Sequence, residues 1–308
     1  MANYSYSPFL KAPQGISIDH IDIDSRLILD PLDKIVQFQK KSLLDVELPN
    51  DVTLMTLRIP SYDKKKIVLY CLIPTNWQDN RVLFHCHGGG FLLPVHPTCF
   101  HIAYQYAHLN HCMVVLPDYR TAIHHPYPIS LMDCVASYHY MDQTFNLSNS
   151  IISGDSAGGC LAISLNRYLY ANNSLKSKAN LLLYPVTDNS QHYASIEQYK
   201  RAEVWNSNCN QAMWKIYCDT ASIDEFTIPM QIDNMKHFNP TYIEVCEMDI
   251  LKDQGIAFYN KCSACNEKIT LSRIPGAYHA FDSDTNNPFV KTILLNRSHW
   301  LEQNFNNH

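Results

Sequence analysis

Glycine is scarce in this chain. Nine occur among 308 residues, about 3% where ~7% is usual. A surplus of basic charge is also missing. Lys and Arg number 24 against 29 Asp and Glu, a net charge of −5. That balance excludes the electrostatic footprint of a nucleic-acid or anionic-membrane binder. No apolar run approaches the ~20 residues of a membrane span. The opening Met1-Ala2-Asn3-Tyr4-Ser5-Tyr6 lacks the charged and apolar blocks of a signal peptide. The eleven cysteines form no paired framework, and Cys71, Cys86, Cys112 and Cys246 sit in apolar, strand-like runs. Buried, reduced thiols in a cytoplasmic protein are the expectation. Cys262-Ser263-Ala264-Cys265 is the sole Cys-x-x-Cys. Without a second pair it reads as two helix residues rather than a zinc or redox site. Asn-x-Ser sequons at Asn146, Asn172 and Asn296 carry no weight without a secretory signal.

What is present is an ordinary globular composition, 46% hydrophobic and 17% charged, in a chain long enough for a large α/β domain with a sizeable core. The few glycines are concentrated. Gly88 to Gly90 form one group and Gly154, Gly158 and Gly159 another; Gly255 and Gly276 stand singly, and only Gly15 falls elsewhere. Glycine is needed where backbone turns sharply or approaches a ligand.

Residues 1 to about 50 are polar, with a helical apolar pattern at Leu27, Leu29, Leu32, Ile35 and Val36. Val52 to Ile59 and Lys66 to Ile73 alternate like an antiparallel pair. Strands and helices then take turns. Strands are expected at Arg81–His85, Cys112–Leu116, Ser150–Ser153, Asn180–Tyr184, Tyr242–Cys246 and Ile269–Ile274. Helices are expected at Thr98–Leu109, Ile129–Met141, Ala157–Tyr170, Gln254–Cys265 and Val290–Gln303. This rhythm predicts an α/β protein with a mostly parallel sheet covered on both faces. More than fifty residues separate Pro185 from Tyr242, too many for an ordinary connection. They include an aromatic-rich helical run, Tyr193 to Asp219, read as a lid-like insertion or small subdomain, or as a plain extra helix pair.

The nonapeptide Ile151-Ile152-Ser153-Gly154-Asp155-Ser156-Ala157-Gly158-Gly159 contains Gly-x-Ser-x-Gly, the signature of a serine on a tight strand-to-helix corner. Ser156 would stand at a helix N-terminus, whose dipole and unbonded N–H groups face developing negative charge. A serine hydroxyl needs a base, and the base needs a third group to hold its tautomer. In the chain order serine, acid, histidine, Asp249 lies just past the Tyr242–Cys246 strand and His279 in the loop after the last one. Asp188 competes for the acid. Asp253 reads as a helix N-cap. His299 falls in a helix and His308 at the terminus. His87-Gly88-Gly89-Gly90 supplies an oxyanion loop, with Gly89 or Gly90 and Ala157 as N–H donors and Gly88 shaping the turn. His85-Cys86-His87 is a poor metal site, since successive strand residues point to opposite faces.

In this combination the chain resembles the hormone-sensitive lipase family of α/β-hydrolases, which includes bacterial carboxylesterases and arylacetamide deacetylases. The resemblance covers nearly everything after residue 80. It rests on His87-Gly88-Gly89-Gly90-Phe91, Pro117-Asp118-Tyr119-Arg120, Gly154-Asp155-Ser156-Ala157-Gly158-Gly159, Tyr184-Pro185, Glu247-Met248-Asp249-Ile250-Leu251-Lys252-Asp253-Gln254-Gly255 and His279. It implies an α/β-hydrolase fold with an eight-stranded, mostly parallel sheet and a helical cap. The cap would come from residues 1–50 and an insertion at about 188–235 of the 51–308 catalytic domain. It also implies Ser156 as nucleophile, Asp249 as acid, His279 as base, and an oxyanion hole from the loop Gly88, Gly89 and Gly90 together with Ala157. Departures are Thr121-Ala122-Ile123-His124-His125 where Leu-Ala-Pro-Glu is usual, Ile250 in place of proline, and Ala280 in place of glycine; each leaves the catalytic groups in place.

The implied activity is that of a serine carboxylesterase for short- to medium-chain esters, with no cofactor and no metal. The expected partners are a small-molecule ester and, at most, a second copy in a homodimer, with neither nucleic acid nor membrane. Two rivals stand beside it. One is an amidase or deacetylase using the same groups, which a paired ester and amide assay separates. The other is a small-molecule receptor on this fold, against which the intact Ser156, Asp249 and His279 argue.

Overall fold

The computed structural model describes residues 6–11, 29–78, 80–219, 222–235, 238 and 240–307. Gly15 and Leu27 lie outside them, as does much of the 1–50 segment. Eight strands form one sheet: β1 (Val52–Pro60), β2 (Lys66–Pro74), β3 (Val82–Cys86), β4 (Met113–Asp118), β5 (Ser150–Asp155), β6 (Ala179–Leu183), β7 (Thr241–Cys246) and β8 (Ile269–Ile274). The sheet order is β1-β2-β4-β3-β5-β6-β7-β8. β1 and β2 pair antiparallel, β2 runs antiparallel to β4, and every other pairing is parallel.

Burial explains the sequence pattern. β3, β6 and β7 are buried at every position, so they read as mainly apolar runs covered on both faces, with His85, Asn180, Thr241 and Glu244 as buried polar exceptions. The edge strands β1 and β8 are only partly buried and mix polar with apolar residues. One face carries α3 (Ile129–Phe145), α4 (Ala157–Ala171) and α7 (Lys252–Ser263), whose Leu131, Leu161, Leu165 and Phe258 join Phe84, Ile152 and Val245 in one core. The other face carries α2 (Pro97–Asn110) and α8 (Pro288–Asn306), whose Phe100, Ala103, Leu294 and Leu301 pack with Leu83, Ile151 and Leu181.

The chain leaves β3 toward β4 on one side and returns to β5 on the other. The crevice at such a reversal, beyond the strands' C-terminal ends, is where open α/β sheets place ligands. β3 and β5 lie side by side, with Cys86 opposite Gly154, which brings the loop after β3 against the turn after β5.

One expectation needs correction, the N-cap at Asp253, and the Tyr193–Asp219 run resolves into a helix pair, α5 (Ala194–Gln198) and α6 (Ser207–Cys218). Asn206 breaks it: its side chain accepts from Cys209 N and caps α6, with its own backbone extended. Asp253 does not cap its own helix, since α7 begins at Lys252 behind Leu251. Its Oδ2 instead accepts from Ser195 N at 2.8 Å, at the start of α5, while Asp253 N donates to Ser195 Oγ. α1 (Leu29–Leu43) covers part of the helix expected in the N-terminal segment. The cysteines are unpaired, and all but Cys218 and Cys265 are buried. Among the described residues no helix is long and apolar enough to cross a membrane.

Candidate active site

Ser156 occupies the turn between β5 and α4 with φ 54° and ψ −123°. A serine tolerates this left-handed region only when its surroundings over-determine it. Here Ser156 N donates to Leu183 O at 2.9 Å, and Ser156 O accepts from Val186 N at 2.9 Å. The flanking glycines are spatial necessities. A Cβ on Gly158 would lie 2.0 Å from Cys86 O and 2.4 Å from His87 O, and one on Gly154 would lie 2.1 Å from Gly158 O. The first turn of α4 therefore sits directly on the end of β3.

The three residues expected from chain order converge, although 123 positions separate the first from the last. Ser156 Oγ is 2.8 Å from His279 Nε2, and His279 Nδ1 is 2.7 Å from Asp249 Oδ2. The other Asp249 oxygen accepts from Leu251 N at 2.9 Å. A carboxyl oxygen facing Nδ1 places the ring proton there, which leaves the Nε2 lone pair toward the serine hydroxyl. All three are nearly closed to solvent, Ser156 at 5%, Asp249 at 1% and His279 at 6% exposure. The competitor Asp188 is engaged elsewhere, accepting from the Tyr193 hydroxyl at 2.7 Å, and His299 bonds Gln303 on α8. Ala280 takes a left-handed φ of 58° beside His279, the conformation for which glycine is the easier residue.

The glycine loop splits its work. Gly88 N does not face the serine: it donates to Asp155 Oδ1 at 2.8 Å, and a Cβ there would meet Asp155 Oδ2 at 2.2 Å. Among the described residues, the N–H groups of Gly89 and Gly90 make no backbone hydrogen bond, and both residues have positive φ. Together with Ala157 N, at the first position of α4, they are the candidate donors.

Sequence reasoning gave four neighbours no part in positioning the catalytic groups. His85 lies between Ser153 Oγ, 3.0 Å from Nδ1, and Asp155 Oδ1, 3.1 Å from Nε2. The signal was available: parallel pairing puts His85 opposite Ser153. Burial pushes the Asp155 carboxyl up, but the His85, His87 and Gly88 groups around it outweigh that and hold it below its ordinary range. His87 points the other way, stacked on Tyr119 at 4.2 Å, and burial lowers its pKa to about 3. Tyr184 meets the His279 ring edge-on at 5.2 Å, and Trp205 from the insertion lies 5.9 Å from it. Nothing in the sequence pattern marked Trp205. A cavity of about 470 Å³ opens over Ser156, lined on one side by Leu92, Leu93 and Ile102 and roofed by Leu32 and Ile35 of α1 with Trp205. Among the described residues no group of His, Cys, Asp and Glu is arranged to hold a metal ion.

Known proteins share this framework. The family model described as alpha/beta hydrolase fold matches residues 83–283. The chain is 26% identical over 288 residues to vegetative-specific protein H5 of Dictyostelium discoideum, covering 85% of this chain and 81% of that one. It is 28% identical over 238 residues to lipase 2 of Moraxella sp., covering 66% of this chain and 55% of that one, so it spans about half that relative's length. In fold it superposes on esterase LipW of Mycobacterium marinum with a TM-score of 0.83 at 21% identity, over 93% of both chains. With its matching core of two hundred residues, this chain belongs to the α/β-hydrolase fold family.

Proposed function

We propose that the protein is a serine carboxylesterase acting on short- to medium-chain acyl esters. One observation carries this reading: the unbroken relay from Ser156 Oγ through His279 to Asp249, at 2.8 and 2.7 Å. In this reading Ser156 Oγ attacks the ester carbonyl carbon and its proton passes to His279 Nε2. Asp249 holds the ring and stabilises the imidazolium. Negative charge gathering on the carbonyl oxygen is met by Gly89, Gly90 and Ala157 N–H, at the positive end of α4. Collapse of the tetrahedral intermediate expels the alkoxide, which takes the proton from His279. Water, activated by the same histidine, then attacks the acyl-enzyme and frees Ser156.

The modest acyl size rests on Trp205. Its ring lies where a Cβ on Gly90 would approach to 2.9 Å, narrowing the cavity beside the oxyanion loop. We assign α1 and the insertion between β6 and β7 to a cap, because Leu32, Ile35, Val204 and Trp205 line the cavity that holds Ser156. The Moraxella relative's name as a lipase and the Mycobacterium structure's as an esterase support ester hydrolysis as the reaction. The test is hydrolysis of p-nitrophenyl esters from acetate to decanoate by wild type and Ser156→Ala. Turnover greatest at or below octanoate and lost in the variant supports the reading; equal turnover by both proteins removes it.

A further inference from the structure

Behind His279 lies a buried ionic cluster that the reaction as described does not use. Arg297 of α8 and Glu244 of β7 are both 0% exposed. Arg297 Nε donates to Glu244 Oε2 at 3.0 Å, and Nη2 donates to Oε1. Arg297 Nη1 reaches Asp282 Oδ2 at 2.7 Å and the Tyr106 hydroxyl at 3.2 Å. The second Asp282 oxygen accepts from the Tyr184 hydroxyl at 2.7 Å. Two carboxyl groups thus share one guanidinium inside the core. A buried ion cluster adds little stability over an apolar filling of the same volume, so its placement calls for another account.

That placement is specific. Asp282 stands three residues beyond His279, in the turn that carries the ring. Glu244 lies on β7, the strand that leads to Asp249, and its carbonyl accepts from Tyr184 N at 2.7 Å. Tyr184 itself has a φ of 35°, a strained conformation for a bulky residue. That bend leaves its ring edge-on against His279 while its hydroxyl reaches Asp282.

We propose that Tyr184, Asp282, Arg297 and Glu244 form a positioning brace for His279. It fixes the ring angle through the Tyr184 contact, and it places a residual negative charge behind the ring that favours the imidazolium formed as Ser156 attacks. The proposal rests on the serine-hydrolase reading of Ser156 and His279. The other groups facing the ring are Ser156 from the β5–α4 turn, Asp249 from the β7–α7 loop and Trp205 from the insertion, with Asp155 and His85 across the cavity.

The experiment compares wild type, Tyr184→Phe and Asp282→Asn with p-nitrophenyl butyrate, measuring kcat, KM, the pH profile of kcat/KM and the thermal midpoint. Tyr184→Phe keeps the ring and removes only the hydroxyl, and its kcat is expected to fall about tenfold with KM within about twofold. Asp282→Asn removes a negative charge near the imidazolium, so the acid limb of its profile is expected to move about half a unit to lower pH. If Asp282→Asn does not fold, Tyr184→Phe decides alone. Folded variants with wild-type kcat and an unmoved acid limb overturn the brace and leave the hydrolase reading standing. A wild type inert toward esters and fluorophosphonate overturns both.

Discussion

Gly158→Ala sets two physical effects against each other. In an exposed helix this change stabilises by about 1 kcal/mol through backbone propensity alone. At Gly158 the added methyl would stand 2.0 Å from Cys86 O and 2.4 Å from His87 O. Both are backbone atoms, Cys86 at the end of β3 where it pairs with β5 and His87 just beyond it with its carbonyl accepting from the Tyr119 hydroxyl at 2.8 Å, so neither can swing aside like a side-chain tip. Restoring ordinary contact requires α4 and β3 to separate by more than about 1 Å. That displacement parts Ser156 and Ala157 N, which ride on the α4 end, from Gly89 and Gly90, which follow β3. A misplacement of about 1 Å costs on the order of 10²-fold in rate, and overpacking costs roughly 1–3 kcal/mol in stability. The assay is kcat/KM for p-nitrophenyl butyrate alongside urea unfolding. The expected result is a drop of about 100-fold with a net loss of stability. A Gly158→Ala protein as active as wild type, and more stable by the helix-propensity increment, refutes the reasoning.

Other substitutions probe the remaining parts. Asp249→Asn leaves the volume unchanged but offers a donor to His279 Nδ1, favouring the wrong tautomer; kcat should fall about 10³–10⁴-fold with KM little changed. Trp205→Ala opens the space beside Gly90, and the most rapidly hydrolysed ester in a chain-length series should shift by two or more carbons to longer acyl groups. Stability should carry an acid signature from His87. Its pKa is about 3 in the fold because it is buried, against an ordinary 6.5, so between these values the unfolded chain binds a proton that the folded one does not. Stability is therefore lost as pH falls below about 6.5. Between pH 7 and pH 5, wild type should lose about 2 kcal/mol relative to His87→Gln in urea titrations; parallel losses in the two proteins contradict this.

Local pattern carried most of the fold into view. β8 was readable to the residue, and β3, β6 and β7 as mainly apolar runs, because burial on both faces leaves few polar residues in a strand. The glycines spoke for the site since each fills a place where the backbone is crowded: Gly158 on Cys86 O, Gly159 against Pro185, Gly255 against Val245. What stayed hidden depended on contacts between distant segments. Asp253 looked like a cap for its own helix, but it caps α5, fifty-eight positions away. The Gly88 N–H turned from the oxyanion side because Asp155 takes it. Trp205 and Tyr184 meet at His279 only through the fold of the insertion and the bend at the end of β6, and neither leaves a periodic trace in sequence. Within the Tyr193–Asp219 run the break between the two helices had no clear mark in composition; a side-chain cap at Asn206 sets where the second one starts.

The central claim is that Ser156 is a nucleophile activated by His279. The most direct measurement is covalent labelling by a fluorophosphonate, followed by intact-mass and peptide mass spectrometry. One label per chain on the peptide bearing Ser156, absent in Ser156→Ala and strongly slowed in a folded His279→Ala protein, is the predicted result. A wild-type protein that takes no label, or one that labels equally well without Ser156, contradicts the account.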